Sequence, residues 1–105
     1  MAYNLIVTER ADELIENLAG YLMEKLRNPD AALHFLDELD SLYDRLEMNP
    51  FQYSESRDPY LARRGYREAV FQGMSYRVVF RVEEHTVYIA GVYHNLENYG
   101  KKVEK

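Results

Sequence analysis

The chain has 105 residues, enough for one domain with a single modest core, and its 47% hydrophobic and 30% charged residues are an ordinary globular composition. The absence of cysteine excludes a disulfide framework and a thiolate metal site, and no apolar run approaches the roughly 20 residues that cross a bilayer. The net charge of −5 argues against a generic nucleic-acid binder, and because the start MAYNLIVTER does not resemble a signal peptide, we expect a cytoplasmic protein.

The first half of the sequence predicts one strand and a pair of helices. Tyr3–Val7 alternates as a short strand does, and Thr8 is suited to cap a helix over residues 9–27. Asn28 and Pro29 are a good N-cap and first residue for a second helix over 29–48, and Asn49-Pro50 ends it. So short a turn between the helices predicts an antiparallel helical hairpin. The apolar stripes that define the helices are Leu14, Ile15, Leu18, Tyr21, Leu22 and Leu26, then Ala32, Phe35, Leu36, Leu39, Leu42, Tyr43 and Leu46.

The second half predicts a loop and three strands. Residues 51–64 show no period and contain Pro59, which indicates a loop. Tyr66–Phe71, Ser75–Glu83 and Thr86–His94 have the composition of strands, with short turns at Gln72-Gly73 and Glu84-His85 that favour an antiparallel meander. The tail Leu96–Lys105 is polar and is expected to be frayed.

The element order predicts a single α+β domain, β-α-α-β-β-β, over residues 1–105. The hairpin must bury its stripes on one face of an antiparallel sheet, which leaves the opposite face free for function. Six side chains are expected in the core: Leu18, Leu22, Phe35, Leu39, Leu42 and Val78.

The distribution of charge is uneven along the chain. Residues 1–56 carry 4 basic and 12 acidic side chains, a net charge of −8, whereas residues 57–105 carry 9 basic and 6 acidic side chains, a net charge of +3. Such asymmetry is compatible with a basic site on an acidic body and equally with an ordinary mixed surface.

No phosphate-binding glycine loop, metal-ligand motif or nucleophile elbow is present, so a cofactor or metal is not expected. One pair of residues has chemical potential. If the turn is centred on Glu84-His85, Arg77 faces Val92 and His94 faces Ser75, so that Arg77 and His94 become diagonal neighbours on one open sheet face. An arginine stabilises charge on a phosphodiester and an imidazole moves a proton, although an ordinary exposed charged face has the same pattern. A register slip of one residue would separate the two side chains.

Several motifs in their order resemble the toxins of RelE/ParE-type type II toxin–antitoxin modules. The resemblance covers nearly the whole chain, although each motif alone is weak. It rests on the helical hairpin, with Asn-Pro-Asp-Ala-Ala at 28–32 and Leu…Asn-Pro at 46–50, and on Gly65-Tyr66-Arg67, Tyr76-Arg77-Val78-Val79-Phe80-Arg81-Val82, Val87-Tyr88-Ile89, Val92-Tyr93-His94 and Tyr99.

The resemblance implies a toxin of one of two kinds, some of them associated with plasmid stabilisation. The first is a ribosome-dependent, metal-independent mRNA endoribonuclease (mRNA interferase), with Arg77, His94 and Tyr99 as catalytic residues and a loop carboxylate, Asp58 or Glu55, as base. Its substrate-binding residues would be Arg64, Arg67 and Arg81. The second is an inhibitor of DNA gyrase without a nuclease centre. A third alternative is an inactive relative that still binds antitoxin.

The resemblance also implies a cognate antitoxin as partner, together with the ribosome and mRNA for a nuclease or gyrase for the second kind. Ten tyrosines suit a surface that an antitoxin segment wraps, or else they line the edge of the core. The sequence departs from the family pattern after His94, where Asn95-Leu96-Glu97-Asn98 stands in place of the arginines that many relatives have. That departure removes expected phosphate contacts and weakens the nuclease interpretation.

Overall fold

The computed structural model describes residues 2–103, which form a four-stranded sheet with a helical hairpin. The strands are β1 (Asn4–Val7), β2 (Tyr66–Val70), β3 (Tyr76–Glu83) and β4 (Thr86–His94), and the helices are α1 (Glu9–Gly20), α2 (Pro29–Met48) and α3 (Pro59–Arg63). The predicted α+β order is confirmed, with α3 and a 3₁₀ turn over Pro50–Gln52 as additions inside the segment predicted to be a loop. No helix among residues 2–103 has the length and apolar character to span a membrane.

The ends of the helices follow the capping residues read from the sequence. The side chain of Thr8 accepts a hydrogen bond from the backbone N–H of Ala11, and that of Asn28 accepts one from Ala31. The first helix does not run unbroken to residue 27, because Tyr21–Lys25 form a wider π-helical turn. Arg27 then adopts a positive φ of 49°, which turns the chain into α2.

The sheet is mixed, whereas the sequence predicted a wholly antiparallel one. The strand order is β1-β4-β3-β2, and β2, β3 and β4 form the expected antiparallel meander. The N-terminal strand lies parallel to β4, with Leu5 opposite Val87 and Val7 opposite Ile89. Side-chain alternation in β1 defines which residues face the core but carries no information about strand direction, which explains the difference.

The main core lies between the helical hairpin and one face of the sheet. The predicted core residues Leu22, Phe35, Leu39, Leu42 and Val78 are buried there, whereas Leu18 is only partly buried against them. The face that the helices cover also carries Phe80, Val87, Ile89 and Val92. Aromatic packing of Phe35 on Phe71, with ring centroids 5.3 Å apart, closes the end of the core beside the β2–β3 turn.

The opposite sheet face is covered, whereas the sequence had led us to expect a free face. A second apolar cluster covers much of it, in which Leu61 from α3 and the tail residues Tyr99 and Val103 pack on sheet residues. The tail is therefore packed up to residue 103 and not frayed, and the rest of the predicted frayed segment, 104–105, lies outside the described residues. The sheet residues in this cluster are Tyr66, Val79 and Tyr93.

Candidate functional site

A buried carboxylate, Glu68, organises the polar side chains on the sheet face opposite the helical hairpin. Its Oε1 accepts a hydrogen bond from Arg77 Nη1 at 2.7 Å, and its Oε2 accepts one from the hydroxyl of Tyr99 at 2.8 Å. The hydroxyl of Ser56 also donates to Oε2. Only 4% of the Glu68 side chain and 13% of the Arg77 side chain are exposed, so this ion pair lies within the protein. We refer to Ser56, Arg57, Glu68, Arg77, Asn95 and Tyr99 as the Glu68 cluster.

The C-terminal segment is tied to this cluster by further hydrogen bonds. Arg77 Nε donates to Oδ1 of Asn95 at 2.9 Å, and Arg57 donates from Nε to the hydroxyl of Tyr99 at 3.1 Å and from Nη2 to the carbonyl of Asn95. Burial raises the pKa of Tyr99, and its hydrogen bond to the Glu68 carboxylate raises it further. The tyrosine therefore remains a neutral donor at physiological pH.

The predicted pairing of Arg77 with His94 is wrong, because a β-bulge changes the register of the β3–β4 hairpin. From Glu83 to Phe80 the pairing follows the predicted turn, but beyond Phe80 it shifts by one residue. Arg77 therefore faces Tyr93, and His94 faces Tyr76. A shift of one residue moves a side chain to the other sheet face.

His94 consequently lies on the face that the helices cover. Its ring meets that of Tyr76 edge to face, with centroids 5.5 Å apart, and its Nδ1 accepts a hydrogen bond from the backbone N–H of Leu96 at 3.1 Å. These contacts fix the start of the tail. They do not bring the imidazole to Arg77.

The two carboxylates considered as a base occupy other positions. Asp58 caps α3, where Oδ1 accepts hydrogen bonds from the backbone N–H groups of Tyr60 at 2.9 Å and Leu61 at 3.2 Å. Glu55 is exposed in an isolated bridge with Arg67. Of the predicted catalytic residues, the structure brings Arg77 and Tyr99 together through Glu68, whereas His94 and Asp58 have separate contacts.

The three predicted substrate-binding arginines are also dispersed. Arg67 lies on the helix-covered face, donates to the carbonyl of Tyr53 at 2.7 Å and stacks over Phe51 at 4.9 Å. Arg64 stacks over Tyr60 at 4.7 Å. Arg81 shares a face with Arg77 and pairs with Glu83 at 2.9 Å.

Sequence reasoning missed Glu68, Ser56, Arg57 and Asn95. A signal for Glu68 was available, because it lies two residues after Tyr66, and therefore on the same face, in a strand whose partner strand carries Arg77. Ser56 and Arg57 come from the irregular segment before α3, for which no periodic pattern exists. No group of three or more metal-ligating side chains occurs within residues 2–103.

In addition to this arrangement of β1, the helical hairpin and the meander, the sequence of the chain matches a protein-family model. A model of the family described as the ParE toxin of the type II toxin–antitoxin system parDE matches residues 5–99. The chain belongs to the ParE toxin family. It is therefore a toxin of the RelE/ParE superfamily, as the motifs had indicated.

Solved structures of toxins have the fold of this ParE-family chain. The chromosomal ParDE toxin–antitoxin system from P. aeruginosa contains a chain with a TM-score of 0.71 and 18% identity, covering 89% of this chain and 96% of that one. The RelBE2 toxin–antitoxin complex from Mycobacterium tuberculosis has a TM-score of 0.62 and 20% identity, with coverages of 90% and 99%. A mutant of E. coli toxin RelE in the free state has a TM-score of 0.62 and 17% identity, with coverages of 97% and 93%. A search of curated protein sequences gave no significant match.

Proposed function

We propose that this ParE-family toxin acts by binding DNA gyrase and not by cutting mRNA. The observation that carries the proposal is the engagement of Arg77, whose guanidinium is neutralised by Glu68 and held by Asn95. A nuclease needs a cation available to the scissile phosphate and a proton-transfer group within hydrogen-bonding reach of the reacting atoms. In this chain Arg77 is already paired, and His94 lies on the other sheet face.

The helical hairpin offers a surface suited to a protein target. Several large apolar side chains at its connecting end are exposed to solvent, and exposed apolar side chains of this kind are typical of protein-binding surfaces. They are Tyr21, Met23, Leu26, Leu33 and Leu36. We expect gyrase to contact this end of the hairpin.

A cognate antitoxin is the second partner that we propose. The ten tyrosines contribute less to its docking surface than the sequence indicates, because Tyr66, Tyr93 and Tyr99 are buried and only Tyr21 and Tyr60 are largely exposed. The edge of β1 is a further place for contact, since β1 pairs with β4 alone in the sheet and Ile6 is exposed there. Co-expression with the neighbouring open reading frame should yield a stable complex.

The endoribonuclease alternative has one observation in its favour. Arg57, Arg77 and Tyr99 converge on the same cluster, and Tyr99 and Arg77 are two of the residues that the family resemblance assigns to catalysis. Such an enzyme would have to separate Arg77 from Glu68 when it binds mRNA. That step removes the partner of a buried charge and is costly.

The discriminating experiment compares gyrase supercoiling with mRNA cleavage on ribosomes, using the full-length toxin. The Leu33→Gln/Leu36→Gln variant should lose gyrase inhibition by about tenfold or more, because full burial of one leucine side chain contributes about 1.5–3 kcal/mol. Leu96→Gln is the control, since its side chain is 90% exposed and lies on the tail. His94→Gln should inhibit gyrase as the unmodified toxin does.

Each contrary result has a defined meaning. Cleavage of mRNA that falls about 10²–10⁴-fold in His94→Gln would replace the proposal by the nuclease alternative. Neither gyrase inhibition nor cleavage, together with intact antitoxin binding, would identify an inactive relative. Circular dichroism of each variant establishes that loss of activity does not come from unfolding.

A further inference from the structure

A basic cleft that contains none of the residues of the Glu68 cluster lies where the start of α1 meets strands β2, β3 and β4. It is a cleft of about 210 Å³ lined by Arg10 and Arg81, with Thr8, Tyr66 and Tyr88 among the other lining residues. We call it the Arg10–Arg81 cleft. Arg10 belongs to none of the sequence motifs and has no part in the proposed function.

Arg10 has a donor without a partner at this site. Its Nε is buried and makes no hydrogen bond within residues 2–103. The hydroxyl of Thr8 donates to the carbonyl of Ile89 at 2.7 Å and accepts from the N–H of Ala11 at 3.2 Å, and the hydroxyl of Tyr93 beside Arg10 is likewise buried without a hydrogen bond within residues 2–103. A buried donor without an acceptor is unfavourable, and an anion in the cleft would supply one.

Arg81 is oriented by aromatic rings and only weakly neutralised. Its guanidinium lies 5.9 Å from the ring centroids of both Tyr66 and Tyr88. Its ion pair with Glu83 is solvent-exposed, with 38% of the arginine and 52% of the glutamate side chain accessible. Such surface pairs contribute little to stability, so an anionic ligand competes with Glu83 at little cost.

The charge of the cleft is positive. Two guanidinium groups line it, and none of the lining residues within 2–103 carries a carboxylate. Like charges that face one cleft repel each other, and a bound anion reduces that repulsion.

We propose that the Arg10–Arg81 cleft binds a phosphate group, either free or carried on a nucleic acid. A phosphate group presents oxygens in several directions and carries a charge of about −1 in a nucleic acid and nearly −2 when free, so forked donors from two walls of a cleft can bind it together. A carboxylate has two oxygens in one plane, which a single guanidinium satisfies. The cleft volume of about 210 Å³ accommodates a phosphate with its substituent or its remaining hydration. The proposal does not depend on whether gyrase is the target.

The test is a titration of the full-length ¹⁵N-labelled protein with inorganic phosphate at constant ionic strength, followed through the arginine Nε–Hε resonances. We expect the Arg10 and Arg81 signals to shift together and to saturate with one dissociation constant. Arg10→Gln and Arg81→Gln should each weaken binding about tenfold or more, because each removes a charged hydrogen-bond donor. Arg63→Gln is the control with the same change of charge, since Arg63 is exposed on α3 and does not line the cleft.

Two further ligands show whether the cleft prefers phosphate to a carboxylate and whether that phosphate is free or part of a nucleic acid. Acetate should bind much more weakly than phosphate. If a short DNA duplex binds the unmodified protein, is displaced by phosphate and binds poorly to both cleft variants, the ligand is a nucleic-acid phosphate. Phosphate binding without duplex binding identifies a free phosphate. Shifts that do not saturate, equal binding of acetate, or equal weakening in Arg63→Gln would overturn the proposal.

Discussion

Glu68 and Arg77 form a buried ion pair between adjacent strands, with Oε1 and Nη1 2.7 Å apart, at the point where the family resemblance led us to expect an available arginine. The pair is diagonal in the ladder, because Glu68 lies opposite Val79 and Arg77 lies opposite Val70. The same carboxylate accepts from Tyr99, so one side chain connects two strands with the C-terminal segment. Its substitution therefore has consequences for both stability and tail packing.

Glu68→Gln should lower the free energy of unfolding by about 3–5 kcal/mol, because it leaves the Arg77 guanidinium buried without a counter-charge. Urea denaturation monitored by circular dichroism measures the loss. Glu83→Gln is the matched control, since it breaks the exposed pair with Arg81 and should cost about 0–1 kcal/mol. Equal losses in the two variants would show that the Glu68 pair is not buried in solution.

Stability should fall at alkaline pH through tyrosines whose pKa is raised in the folded state. Burial is the first cause of the raised pKa of Tyr43, Tyr93 and Tyr99, with the Glu68 hydrogen bond adding to it for Tyr99. A raised pKa means that the stabilisation is complete below the unfolded value near 10 and is lost as pH rises towards the folded value.

Measurements of unfolding free energy from about pH 8 to 11 should therefore show a decline that begins near pH 10. Tyr99→Phe should make the decline shallower, because one linked group is removed. Parallel curves for the unmodified protein and Tyr99→Phe would contradict the linkage.

Gly91→Ala should destabilise the protein by about 1–3 kcal/mol through overpacking at the bulge. A Cβ at residue 91 would lie 2.6 Å from Cε2 and 2.8 Å from the hydroxyl oxygen of Tyr93, whose buried ring has no room to move away. Gly20→Ala meets nothing within 4 Å in α1 and should stabilise by about 0.5–1 kcal/mol. Thermal unfolding of the two variants should shift in opposite directions, and a shift in the same direction would argue against tight packing of Tyr93 on Gly91.

Leu61→Ala should cost about 2–5 kcal/mol, because this fully buried side chain of α3 fills the second apolar cluster. Leu96→Ala should change stability by less than about 0.5 kcal/mol, since Leu96 is exposed to solvent. Chemical denaturation of both variants provides the comparison. If Leu61→Ala were as mild as Leu96→Ala, α3 and the tail would not be packed on the sheet as described.

The local elements could be predicted because their signals lie within a few residues of each other. Thr8 and Asn28 accept hydrogen bonds from N–H groups three residues ahead, and the stripe through Phe35, Leu39 and Leu42 reflects the 3.6-residue period of a helix. The bounds of β4, Thr86–His94, were also correct, since a β-branched and aromatic run between turns is a local property. The family resemblance followed from the order of such elements and was confirmed by the family match.

Contacts between distant segments decided the rest. The bulge beyond Phe80 moves His94 to the other face, and no residue of the β3–β4 turn specifies it, since the register remains regular for the first four pairs. The parallel pairing of β1 with β4 and the burial of Tyr99 depend on which segments meet in space. The candidate site was therefore predicted only as a set of residue types. Whether Arg77 is available or paired depends on a carboxylate nine residues earlier in the chain, which the sheet brings to within 2.7 Å.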